Sequence, residues 1–156
     1  MFFIPDHLDQ AQQLLKRIQD ASAPDTRLFA DVIANACPRA LALVEMRKAV
    51  RLKQLLESGA WTDAALALAE LELPQWKVRR IACDDGEWHC RLSAQPWLPE
   101  GFDELVETFH SVLPLAILSA VVQARQQTAT SPRAEAPTAD VVFSADPIRI
   151  CCDNFR

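Results

Sequence analysis

His89 and Cys90 are neighbours, Cys83 precedes them across the tetrapeptide Asp84-Asp85-Gly86-Glu87, and Cys151 and Cys152 lie near the end of the chain. Imidazoles and thiolates are the ligands of zinc sites, and thiolates also carry redox chemistry. The spacing opposes a metal site within this segment. Adjacent strand residues point to opposite faces, so His89 and Cys90 cannot reach one ion without a bulge. Six residues separate Cys83 from Cys90, more than the short ligand spacings of structural zinc sites. Five cysteines are an odd number, and the N-terminus lacks the positive start of an export signal. The thiols are therefore expected to be reduced and to act mainly as small buried hydrophobes. A metal- or thiol-dependent regulator using Cys83, Cys90, Cys151 and Cys152 is the alternative reading, and no cofactor is expected.

Glu107-Thr108-Phe109-His110 has the spacing that places two ligands on one helix face in di-iron bundles. That architecture needs a second such pair and two further glutamates, so a solvated acidic face is the simpler expectation. The three glycines, Gly59, Gly86 and Gly101, are isolated, which excludes a Walker-type phosphate loop and a dinucleotide fingerprint. Neither a G-x-S-x-G elbow nor an H-E-x-x-H pair occurs. With no convergent catalytic set, a non-enzymatic role is expected.

Lys77, Arg79, Arg80 and Arg91, with Trp76 and Trp88 nearby, have the composition of a single-strand-binding surface. Asp84, Asp85 and Glu87 nearly cancel that charge, and the whole chain carries a formal −5. Neither nucleic acid nor an anionic membrane surface is an expected partner. Arg47, Lys48, Arg51 and Lys53 are spread around their helix and read as a solvated face.

Apolar periodicity supplies the elements that must position these residues. Asp6 can cap a first helix ending near Asp20, with Leu8, Ala11, Leu14, Leu15 and Ile18 on one face. Ser22-Ala23-Pro24-Asp25 breaks it, and Asp25 caps a second helix with a stripe of Leu28, Phe29, Val32 and Ile33. Pro38 opens a third helix, predicted over residues 38–57. It is apolar on two sides, with Leu41, Val44, Leu52 and Leu55 on one and Leu43, Met46 and Val50 on the other. Such a helix is either central in the domain or covered by a partner, which makes Leu43, Met46 and Val50 candidate partner-binding residues. Ser58-Gly59 stops it, and Thr62 caps a fourth helix built almost wholly of alanine and leucine, apart from Glu70 and Glu72.

After Pro74 the period changes to two. Residues 76–93 read as a β-hairpin, because Asp85-Gly86 between aromatic and β-branched runs suits a type I′ turn with positive φ at both central positions. Cys83 then faces Trp88 and Ile81 faces Cys90. Ile81, Cys83, Trp88, Cys90 and Leu92 share the face that packs on the helices. Residues 101–110 read as an acidic amphipathic helix, and Pro114 separates it from a last, strongly apolar helix. The apolar run 112–122 is well short of the roughly 20 residues that cross a bilayer. Residues 126–140 turn to Thr, Ser, Pro, Ala and Gln, the composition of a flexible linker. Beyond them, residues 141–156 are apolar again. They either dock on the hairpin as a third strand or serve as a peptide for another protein, with Ile148, Ile150 and Phe155 as candidate contacts.

The stretch Gly59-Ala60-Trp61-Thr62-Asp63-Ala64-Ala65-Leu66-Ala67-Leu68, with Glu72-Leu73-Pro74-Gln75-Trp76-Lys77, Asp85-Gly86-Glu87-Trp88-His89-Cys90 and Leu115-Ala116-Ile117-Leu118-Ser119-Ala120, resembles a family of short uncharacterised bacterial proteins. It covers roughly the middle of the chain. No activity is established for that family, so the resemblance implies no catalytic residue, cofactor or partner. The expectation is a mainly α protein with one β-hairpin, an α+β helical bundle on a small antiparallel sheet, over residues 1–125, followed by linker 126–140 and segment 141–156. It is expected in the cytoplasm, bound to a second copy or to another protein.

Overall fold

A computed structural model describes residues 7–42, 46–99 and 101–130. Helix α1 (His7–Asp20) buries Leu14 and Ile18. The carboxylate of Asp25 accepts the Leu28 N–H at 2.6 Å and so caps α2 (Thr26–Ala36), satisfying one of the donors left open at a helix start. Phe29, fully buried in α2, lies 5.6 Å from the Trp61 ring.

The helix predicted over residues 38–57 is two helices. Pro38 does open α3 (Pro38–Ala42), but α4 (Arg47–Glu57) begins afresh after Met46, whose φ of −75° and ψ of 147° are extended backbone. The break resets the winding, so Leu41 and Leu52, expected on one side, part company: Leu41 is exposed and Leu52 buried. Helix α4 packs against α5 (Trp61–Glu72) and is peripheral rather than central. Residue Ala60, with no side-chain hydrogen bond, precedes α5, and Thr62 lies inside the first turn instead of capping it.

Helix α6 (Leu113–Thr130) is the centre of the domain, buried without interruption from Pro114 to Val122 and packed against α1, α2, α5 and the sheet. Pro114 sits in the first turn, where its missing N–H breaks no helical bond, so it neither kinks nor divides the element. The helix continues to Thr130, past the expected linker boundary at Gln126. No helix among the described residues is long and apolar enough to cross a membrane.

The sheet is three antiparallel strands in the order β1 (Lys77–Asp84), β2 (Glu87–Ser93), β3 (Leu105–His110). Asp85 (φ 49°) and Gly86 (φ 81°) form the turn, and the pairs Cys83 with Trp88 and Ile81 with Cys90 are those read from the sequence. A bulge interrupts β1 between Val78 and Arg80. The acidic helix expected over residues 101–110 is instead a turn leading into β3. There Val106, Thr108 and His110 are buried while Glu107 and Phe109 are exposed, a period of two that pairing with β2 makes stable. Among the described residues the third strand is β3; residues 141–156, expected either to dock on the hairpin or to serve as a peptide, lie outside them. Cys90, Leu92 and Val106 on the inner face join Leu115, Ile117, Leu118 and Val121 of α6 in one core. The result is mainly helical and α+β, as expected.

Candidate functional site

No described helix covers the outer face of the sheet, which carries two cross-strand rows. Arg80, Arg91 and Glu107 form one, with Arg91 Nη2 donating to both Glu107 oxygens at 3.0 and 3.1 Å. Ala82, His89 and Phe109 form the other, with the His89 and Phe109 rings edge-to-face at 4.5 Å. This face is bland chemically: an exposed ion pair and a ring contact, with no nucleophile beside a base.

The connection from β2 to β3 is held by Asp103. Its carboxylate accepts the Ser93 hydroxyl, the Gln95 N–H at 2.8 Å and Arg79 Nη1 at 2.9 Å, and the side chain is shielded from solvent. Desolvation opposes ionisation there, but the Ser93 and Gln95 hydrogen bonds and the Arg79 charge outweigh it and hold the carboxyl below its ordinary 3.8. The same guanidinium reaches the Leu98 carbonyl at 3.5 Å. Two rings stand out from this pinned connection, Trp97 at 74% and Phe102 at 78% exposure.

A second buried carboxylate joins three helices. Glu72, at the end of α5, accepts the Ala40 N–H of α3 at 2.9 Å, and Arg125 Nε of α6 lies 3.2 Å from its other oxygen as an ion pair. Arg39 Nε donates to the Leu71 carbonyl beside it. Burial raises the Glu72 carboxyl above its ordinary 4.5, and the Ala40 N–H, Arg125 and Arg39 only partly offset this. Cys37 is buried nearby, and burial followed by the Glu72 charge pushes its thiol up.

The residues expected to carry chemistry are separated by the fold. Glu107 and His110 are on a strand three residues apart, so they face opposite sides, and Glu107 is exposed while His110 is buried. His110 Nδ1 accepts the Val112 N–H at 2.9 Å, and Nε2 lies 3.2 Å from the Ile18 carbonyl, which places the proton on Nε2. The ring ties α1 to the start of α6 and has no nitrogen left for acid–base work. Cys90 is buried, its thiol pushed up to about 11 by desolvation, whereas Cys83 on the same face is exposed near the turn, against the expectation that it packs on the helices. No group of three His, Cys, Asp or Glu among the described residues can hold a metal ion. Cys151 and Cys152 lie outside them.

Among the partner-binding candidates, Met46 just before α4 and Val50 on it are exposed, at 53% and 47%. Leu43, Ile148, Ile150 and Phe155 lie outside the described residues. The sequence reading missed Trp97, Phe102 and Asp103, although two large rings among Pro96, Pro99 and Gly101 are apolar residues that no regular element could bury. Glu72 stands out in the sequence as a carboxylate in an alanine–leucine helix, but its partners Ala40 and Arg125 are distant along the chain. Comparison with protein-family models, with curated proteins and with solved structures finds no match, and this bears neither way on the resemblance noted above.

Proposed function

We propose that the protein acts without catalysis, in the cytoplasm, by docking another protein through Trp97 and Phe102. The observation that carries this reading is their display: two rings about three-quarters exposed on a connection tied at its root by the shielded Asp103 carboxylate. Aromatic anchors dominate binding energy at protein interfaces, and a pinned support reduces the entropy lost on association. Burying a ring of this size removes 150–250 Å², roughly, from water. Met46, the residue before α4, and Val50 in its first turn, flanked by Arg47, Arg51 and Lys53, offer a second exposed apolar patch.

The test is a Trp97→Ala, Phe102→Ala double variant. In-cell cross-linking with mass spectrometry, together with light scattering on the purified protein, should show a partner or a second copy contacting the β2–β3 connection in wild type and lost in the variant. Circular dichroism should be unchanged, because neither ring is in the core. Identical cross-links and identical mass for both proteins would sink the reading.

A further inference from the structure

Among the described residues the sheet has two unpaired edges, and they differ. The β1 edge is interrupted by the bulge between Val78 and Arg80, a feature that discourages further pairing. The β3 edge is regular. In a two-residue hairpin Asp84 and Glu87 are a hydrogen-bonded pair, so alternate residues Glu87, His89 and Arg91 of β2 bond to β1, and Trp88, Cys90 and Leu92 bond to β3. The Ala94 N–H donating to the Glu104 carbonyl at 3.0 Å continues the same alternation. The N–H and C=O groups of Leu105, Glu107 and Phe109 therefore point away from β2, along the open edge.

That edge borders a groove of about 460 Å³ between β3, α1 and α6, lined by Leu15, Lys16 and Gln19 on one side and Glu107 and Phe109 on the other. Ser119 also lines it, and its hydroxyl is buried without a hydrogen-bond partner among the described residues. An exposed strand edge beside a helix is the setting in which an extended segment adds as a further strand.

We propose that residues 148–152 of this chain, Ile148-Arg149-Ile150-Cys151-Cys152, occupy the groove as a fourth strand paired to β3. Reach permits it: seventeen residues follow Thr130 before Ile148, spanning up to about 56 Å at ~3.3 Å each. A domain of this length has a radius of gyration of only about 14 Å. Pro147 is acceptable immediately before a strand, where no ladder N–H is needed. Alternation puts Ile148 and Ile150 on the side facing Leu15 and α6, and Arg149 on the outer side. There it stands opposite Glu107, extending the charged row formed by Arg80, Arg91 and Glu107. This surface is distinct from Trp97 and Phe102, so it stands or falls apart from the docking role above.

The experiment is amide hydrogen exchange, resolved by residue, on the full chain and on its Arg149→Pro variant, which loses both the pairing N–H and the charge. Glu107 and Phe109 should exchange slowly in wild type and at least about tenfold faster in the variant. The β1–β2 amides, which report on the fold, should be unchanged. Fast exchange at Glu107 and Phe109 in wild type overturns the proposal. That outcome is also expected if the segment sits instead in the groove of about 420 Å³ beside Arg125 and Ala129, or serves only as a peptide for another protein. Slow exchange that survives in the variant and strengthens with protein concentration overturns it too, in favour of a second copy.

Discussion

The Glu72 carboxylate receives the backbone N–H of Ala40, thirty-two residues earlier in the chain, at 2.9 Å. A side chain at the end of α5 thereby serves a donor in the first turn of α3, which Pro38 opens. Arg125 supplies the compensating charge from α6, so one carboxylate locks three helices together.

Replacing Glu72 by Ala leaves the buried Ala40 N–H without an acceptor and should destabilise the protein by about 1–3 kcal/mol. Urea unfolding measures this, and a loss within error of zero would contradict it.

The same group makes a pH prediction. Burial raises the folded-state value of Glu72 above its ordinary 4.5, so the folded protein holds this proton more tightly than the unfolded chain. Its contribution to stability is complete below the ordinary value and is lost as pH rises through the raised one. The stability of wild type relative to Glu72→Gln should therefore fall with rising pH over that window. A difference that is flat, or that rises with pH, is the contrary outcome.

Asp103 has the opposite sign. Its folded-state value is lowered below 3.8, so its contribution is present above the ordinary carboxylate value and is lost as pH falls through the lowered one. An Asp103→Asn variant should be less stable than wild type at neutral pH and converge with it in acid. Amides of the β2–β3 connection should exchange faster in the variant at neutral pH, and partner capture through Trp97 and Phe102 should weaken. Unchanged exchange there would mean that the carboxylate does not hold the connection.

At the hairpin turn, Gly86 has φ 81° and open space where a Cβ would stand. A Gly86→Ala variant should therefore lose only the backbone cost of a left-handed residue, about 1–2 kcal/mol, without a packing loss. A thermal midpoint equal to wild type would count against the turn geometry.

Thiol titration under native conditions should label Cys83 quickly and leave Cys37 and Cys90 unlabelled until the protein unfolds. Burial both hides the latter two and disfavours their thiolates. Comparable labelling rates for Cys83 and Cys90 would contradict the buried inner face of β2.

Features legible in the sequence are those set by neighbours along the chain. Asp25 caps its own first turn, and Asp85-Gly86 adopts positive φ because those residue types tolerate it, which carries the whole hairpin register with them. The alanine–leucine run of α5 and the apolar run of α6 proclaim burial without any knowledge of their neighbours. Features that depended on distant residues were not legible. Residues 105–110 alternate in burial, but with Asp103-Glu104 ahead of them and the Glu107/His110 spacing inside they read as one acidic helix, and only pairing with β2 makes them β3. The break near Met46 was not legible because Leu43-Val44-Glu45-Met46 contains neither proline nor glycine to mark it. Cys83 and Cys90 share a face, as the alternation required, yet tertiary packing covers Cys90 and leaves Cys83 open. Glu107 and His110 kept their spacing and lost their meaning, because the same three-residue interval that aligns two side chains on a helix sets them on opposite faces of a strand.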